Sequence, residues 1–299
     1  MASLKTWLKA ARPRTVLLSF SGILMGGLLA AKSESCNYWA ILFAALTAIA
    51  LQILSNLAND YGDYKKGVDN DNRVGPQREM QSGEITEKEM KKGICLTSVA
   101  CFMLGGILIF LIARLSWTEL AAFAIFGVAA VLAALFYTLG KRPYGYRGLG
   151  DLYCFLFFGL AATAGCYYLA TKNLDFSILL PAAAMGFMSN AVLNINNMRD
   201  FENDKRSGKN SLVVKIGLDK AFLYHIFLIV GGFAMLSIYL IINRCAFHSH
   251  LFWLVLPLFV KDIITIKREL HSHKLDPMLP KQVIHTFLLT IAFGTAILL

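Results

Sequence analysis

Asn56-Leu57-Ala58-Asn59-Asp60-Tyr61-Gly62-Asp63 and Asn196-Asn197-Met198-Arg199-Asp200-Phe201-Glu202-Asn203-Asp204 each close an apolar run, and they decide how this chain is read. On a helix Asn56, Asn59, Asp60 and Asp63 stand at i, i+3, i+4 and i+7, so all four project from one face. Asn196, Asp200 and Asp204 do the same at i, i+4 and i+8. Each stretch is an acidic stripe continuous with amides that run back into apolar sequence. Carboxylates placed in this way repel one another unless cations share the site. Oxygen ligands of Asp and Asn type suit a hard divalent ion, and Mg²⁺ takes only one or two carboxylates together with phosphate oxygens and water. Two facing stripes would make a site for a metal-bound diphosphate. A cation transporter is the competing reading, since transporters also use repeated helices and intramembrane acids. Their sites lie near the midplane in broken helices, whereas these acids sit at the ends of apolar runs beside a long basic loop.

The sequence around the stripes is that of a membrane protein. Of 299 residues 57% are apolar and 16% charged, with a mean hydropathy of +0.56, which excludes a soluble or disordered chain. Apolar runs long enough to cross a bilayer core of about 30 Å number nine, at 15–31, 38–57, 94–113, 118–139, 151–171, 177–197, 219–242, 251–268 and 283–299. The expected fold is all-α, one polytopic membrane domain over 1–299. The stripes align at an offset of 140 residues, Asn56, Asp60 and Tyr61 matching Asn196, Asp200 and Phe201, which suggests a duplicated four-helix unit followed by a ninth helix. The first span has basic residues before it and Ala30-Ala31 after it, as a signal peptide would, but eight further spans supply insertion signals of their own.

The net charge of +10 would prompt a nucleic-acid partner in a soluble protein; here it reads as topology. With the N-terminus cytoplasmic, that face carries 25 of the 29 Lys and Arg, together with both stripes, and the C-terminus lies outside. The cytoplasmic loops supply charge complementary to the acids. Residues 58–93 contain Lys65, Lys66, Arg73 and Arg78 among Gly and Pro, and Thr86-x-x-Glu89 has the spacing of a helix-starting capping box. Lys141-Arg142, one turn after Tyr137, is suited to neutralising phosphate oxygens. His248-x-His250 and His271-x-His273 fall on opposite faces and cannot form one metal site, and the six cysteines show no CxxC spacing. Cys36 and Cys245 share the outer face.

In these residues the chain resembles the UbiA superfamily of intramembrane aromatic prenyltransferases, over essentially its whole length. The family's NDxxDxxxD motif is met by Asn59, Asp60 and Asp63, with Gly67 at the final Asp position and Asp69 two residues later. Its DxxxD motif is met by Asp200 and Asp204, and its YxxxKR motif by Tyr137, Lys141 and Arg142. The stretches from Asn59 to Arg78 and from Tyr144 to Asp151 are most similar to the branch whose acceptor is 1,4-dihydroxy-2-naphthoate. The resemblance implies an enzyme of the bacterial cytoplasmic membrane that joins a polyprenyl diphosphate to an aromatic acid with loss of diphosphate and CO₂, giving a demethylmenaquinol. It implies Mg²⁺ held by Asp60, Asp63, Asp200 and Asp204 with Asn56 and Asn196, the four acids being catalytic. Arg73, Lys141 and Arg142 would bind the diphosphate, and Tyr61, Tyr137, Tyr144 and Phe201 would face the allylic cation. Acceptors of the 4-hydroxybenzoate or homogentisate type remain alternatives within the superfamily.

Overall fold

The computed structural model describes residues 2–70, 74–112, 116–272 and 274–299, and these are helical with no strand among them. Nine helices among the described residues are long and apolar enough to cross a membrane: Pro13–Ala30, Tyr38–Lys65, Glu87–Leu111, Trp117–Phe136, Gly150–Thr171, Phe176–Arg199, Leu218–Ile242, Phe247–Glu269 and Met278–Leu298. They are referred to below as spans one to nine. The protein is an integral membrane protein, and its described residues carry the nine spans that its hydropathy suggests.

The spans are not equally enclosed. Span six is the most buried, at 61% of its most apolar window, while spans three and four are each only 11% buried. Side chains such as Phe110 and Trp117 on those two helices are exposed, as an outer wall facing lipid chains would be. Met185, Met188, Phe233, Phe259 and Phe293 interlock spans six to nine in the largest apolar core. Several hydroxyls inside the spans are satisfied by their own helix, as a medium without water favours: Ser21, Thr47, Thr97, Ser98 and Ser237 each donate to the carbonyl four residues earlier.

Span two runs about two turns past its apolar part, to Lys65, and so carries all of Asn56, Asn59, Asp60 and Asp63 on continuous helix. Gly67 ends it in the left-handed region at φ 67°, with its N–H on the Tyr64 carbonyl. An Asp at that position would be strained, which is a physical reason for the glycine; Asp69, beyond the turn, lines the central cavity instead. Gly62 allows a close approach, since a Cβ there would stand 2.6 Å from the Thr138 hydroxyl. Span six behaves differently. Its helix stops at Arg199, Asp200 is a junction at φ −92° and ψ 7°, and a short helix Phe201–Arg206 follows. The break leaves the second stripe together, since the Asp200 N–H bonds to the Asn196 carbonyl at 3.1 Å and Asn196, Asp200 and Asp204 all line one cavity. Asp204 returns beside Asp200 because its N–H bonds to the Asp200 carbonyl at 2.8 Å.

Ahead of span one, a short helix Leu4–Ala11 is capped by the Ser3 hydroxyl and tied to the connection between spans two and three by Thr6 donating to Glu84 at 3.0 Å. Arg12, between this helix and Pro13, adopts a left-handed backbone at φ 52°, uncommon for any residue but glycine. Thr86 and Glu89 form the expected capping box at the start of span three. The six cysteines are free thiols.

Candidate active site

A cavity of about 350 Å³ opens between spans one, two, four, five and six. At one end stand Asp63, Asp69, Asp200 and Asp204, with Asn56, Asn59 and Asn196 below them, and the body beneath is apolar. The two stripes, 140 residues apart in the sequence, thus meet across one chamber. A polar link joins their loops, the Asn203 amide donating to the Val68 carbonyl at 2.9 Å.

Asp60, Asp63, Asp200 and Asp204 each have a positively charged or hydroxylic partner. Asp60 is fully buried; the Arg12 guanidinium is hydrogen bonded to its Oδ1, and Arg78 Nε lies 3.6 Å from the same oxygen. Arg12 reaches it because the left-handed turn before Pro13 sends the side chain inward. Asn56 donates to the Ala11 carbonyl at 2.8 Å and to Thr15 Oγ1 at 2.9 Å, which locks that turn against span two. Asp63 accepts from the Tyr146 hydroxyl at 2.6 Å. In the second cluster Arg199 forms a two-pronged pair with its neighbour Asp200, at 2.9 and 2.7 Å, and reaches on to Asn196 and Asp276. Lys209 Nζ lies 3.4 Å from Asp204 Oδ1. Burial, with the nearby Asp200 and Asp63 adding to it and Lys209 opposing it, pushes the Asp204 carboxyl up to about 6. Burial alone would lower the Lys209 pKa, but Asp63 and Asp204 outweigh it and hold the ammonium well above the ordinary lysine value.

The donor set fits a hard cation. Among the described residues no three His, Cys, Asp or Glu side chains form a ready-made metal cage. Yet Asp60 Oδ2 and Asp204 Oδ2 are both buried without a hydrogen-bond partner, one in each cluster, which is costly unless a further positive group is shared. With only carboxylate and amide oxygens on offer, that group would be Mg²⁺-like rather than zinc-like.

The sequence-derived residues divide sharply. Asn56, Asp63, Asn196, Asp200 and Asp204 line the cavity, as do Tyr137 and Tyr144; Asp60 lies immediately behind its wall under Arg12 and Arg78, which do line it. Tyr137 meets Tyr144 edge-on at 5.3 Å, Tyr144 stacks on Tyr153 at 4.0 Å, and Tyr153 stacks on Phe157 at 6.3 Å, so an aromatic ladder descends into the apolar body. Tyr61 and Phe201 stand away from the chamber. Tyr61 donates to Glu87 at 3.2 Å, and Phe201 packs against the core that holds Ile195 and Met198. Both follow a stripe acid by one residue, a rotation of about 100° away from its face. Lys141 and Arg142 are exposed and line a separate surface depression of about 500 Å³ with Lys66, Tyr146 and Arg147. Arg73 lies outside the described residues. Lys209 was not singled out by sequence; it sits five residues after Asp204, just past Gly208 in the left-handed region, and no helical period points to it.

A cluster-flanked chamber with an apolar, aromatic body inside nine spans is the architecture of an intramembrane prenyltransferase. The UbiA prenyltransferase family profile matches residues 19–274, and the chain belongs to this family. It is 40% identical to the 1,4-dihydroxy-2-naphthoate octaprenyltransferase of Haemophilus influenzae over 298 residues, covering 99% of this chain and 96% of that protein. It is also 40% identical to the Escherichia coli protein of the same name over 295 residues, covering 99% and 96%. In fold it is similar to a UbiA homolog from Archaeoglobus fulgidus whose structure was solved bound to DMAPP and Mg²⁺, with a TM-score of 0.61, 14% identity and coverage of 96% and 99%.

Proposed function

We propose that the chain transfers a polyprenyl group from polyprenyl diphosphate to 1,4-dihydroxy-2-naphthoate, with loss of diphosphate and CO₂, giving a demethylmenaquinol. The observation that carries this reading is the chamber itself, charged at one end and apolar and aromatic along the rest, in a chain 40% identical across 99% of its length to a naphthoate octaprenyltransferase. We place the charged end at the cytoplasmic face, where the basic loops gather.

The diphosphate head lies among the acids with its tail along the apolar body. Asp60, Asp63, Asp200 and Asp204, helped by Asn56 and Asn196, would hold Mg²⁺, the ion that accompanies DMAPP in the Archaeoglobus relative. When bound, it supplies Lewis-acid neutralisation of the leaving diphosphate. Arg12 and Arg78 add positive charge where negative charge grows as the C1–O bond breaks. The faces of Tyr137, Tyr144 and Tyr153 stabilise the allylic cation in a chamber whose apolar walls exclude water. The aromatic ring attacks C1 as the new C–C bond forms, and the carboxylate departs as CO₂, returning its electron pair to the ring.

The test is reconstituted protein with radiolabelled polyprenyl diphosphate, Mg²⁺ and a panel of aromatic acids. The expected outcome is prenylation of 1,4-dihydroxy-2-naphthoate with stoichiometric CO₂ release, lost on EDTA dialysis and restored by Mg²⁺. Faster turnover of 4-hydroxybenzoate or homogentisate would reassign the acceptor, and ion flux without prenyl transfer would overturn the enzyme reading.

A further inference from the structure

Three cations line the chamber among the described residues: Arg12, Arg78 and Lys209. The two arginines converge on one acid, Asp60. Lys209 belongs to the other cluster. Its Nζ lies 3.4 Å from Asp204 and 5.8 Å from the centre of the Tyr146 ring, and Tyr137 at the head of the aromatic ladder is within electrostatic reach. The side chain is 9% exposed, so this is a cation withdrawn from water, not a surface charge. Backbone bonds fix its loop: the Lys209 N–H bonds to the Asp204 carbonyl at 2.9 Å and the Asn210 N–H to the Tyr146 carbonyl at 3.2 Å.

The proposed reaction brings two separate anions into this chamber. One is the diphosphate, for which the arginine pair is placed. The other is the carboxylate of a flat bicyclic acceptor, which needs a single ammonium or guanidinium next to an aromatic surface. We infer that Lys209 is the anchor for the acceptor carboxylate, holding the naphthoate ring against the Tyr137–Tyr144–Tyr153 ladder. The inference rests on the functional reading above. It also accounts for the order of events at that carboxylate. An ion pair orients the ring while the acid is charged, and neutral CO₂, once formed, has no hold on the ammonium. Lys209 then returns to Asp204, from which its Nζ lies 3.4 Å in the structure.

The test compares acceptor analogues that differ only in the carboxylate. Equilibrium binding of 1-hydroxy-2-naphthoate and 1-naphthol would be measured on the wild-type protein, Lys209→Gln and Lys209→Arg, with Mg²⁺ present. The expected result is that wild type prefers the naphthoate, that Lys209→Gln loses roughly tenfold or more of that affinity while 1-naphthol changes less than about twofold, and that Lys209→Arg restores most of the loss. Parallel losses on both ligands, or a loss that falls on inorganic diphosphate instead, would overturn the inference. So would a wild-type protein that binds the naphthoate no more tightly than the naphthol, a result that needs no folded variant. Turnover of 1,4-dihydroxy-2-naphthoate by wild type tests the functional reading separately. A protein that makes the product yet shows no Lys209-dependent preference fails the inference alone.

Discussion

Asp60 at the end of the second span and Asp200 at the end of the sixth are both buried and both held by guanidinium groups, yet those groups come from different places. Asp200 is paired by the residue before it, Arg199, in a two-pronged contact whose guanidinium also reaches Asp276. Asp60 is paired by Arg12, 48 residues earlier, and by Arg78 from the connection between spans two and three, so its neutralisation exists only once three segments have packed together. The helices differ in the same sense. Span two runs unbroken through its acids, while span six breaks at Asp200 and resumes at Phe201. Acids that close two different spans thus flank one chamber with differently sourced cations, a neighbour in the chain for Asp200 and distant segments for Asp60.

The hardest way to break this comparison is to remove one acid from each side. Asp60→Asn and Asp200→Asn should each reduce prenyl transfer by roughly a hundredfold to a thousandfold, the loss typical when one group stabilising developing charge is removed. Initial rates on purified, correctly inserted variants check this, and near-normal turnover in either would mean that its cluster does not serve the reaction. The arginines should separate the two sides in stability. Arg199→Gln leaves Asp200 and Asp276 without their shared guanidinium and should cost about 3–5 kcal/mol, read as a lowered thermal midpoint in detergent. Arg12→Gln leaves Arg78 beside Asp60 and should cost less, about 1–3 kcal/mol. Equal destabilisation would remove the distinction between local and tertiary support.

A third test sharpens the second cluster. The Asp204 carboxyl titrates near 6 in the folded protein against 3.8 for a free aspartate, so between these values the folded chain binds more protons than the unfolded one. Metal-free stability should therefore fall as pH rises from about 4 to about 6. Mg²⁺ must displace that proton, so its affinity should weaken below pH 6 by up to about tenfold per unit. Asp204→Asn should flatten the metal-free stability profile, and an unchanged profile would show that the proton resides elsewhere. The smallest effect is expected outside the chamber. Lys141→Gln and Arg142→Gln, on the exposed depression, should change the KM for polyprenyl diphosphate by no more than about threefold, because exposed charges are screened at ordinary salt. A much larger change would mean that this loop closes onto the chamber during turnover.

How much of the site could be read in advance follows from how each residue is carried. The first stripe was legible because helix persists through it, so that spacings of three and four translate directly into one face. The second was legible too, although the helix is interrupted at Asp200, because i→i−4 backbone bonds from Asp200 to Asn196 and from Asp204 to Asp200 carry the spacing of four across the break. Tyr61 and Phe201 show the limit of proximity in sequence, as one step along a helix turns a side chain out of the chamber. Tyr137 and Tyr144 reach it on either side of a loop. Tyr146 reaches Asp63 across 83 residues, and Lys209 reaches Asp204 through a left-handed glycine, and neither contact leaves a periodic trace.

The sequence by itself determined that the chain crosses a membrane nine times, that carboxylates gather at the ends of two spans, and which family of enzymes it belongs to. These follow from local quantities: the length of an apolar run, the pitch of a helix, and the order of short motifs. Only the tertiary structure decided which cation holds which acid, which aromatic rings form the ladder, and that Lys141 and Arg142 lie outside the chamber while Arg12, Arg78 and Lys209 line it. The physical reason is that long charged side chains are aimed by turns and loop packing, which depend on contacts between distant segments, whereas the spans themselves are set by the solvent that surrounds them.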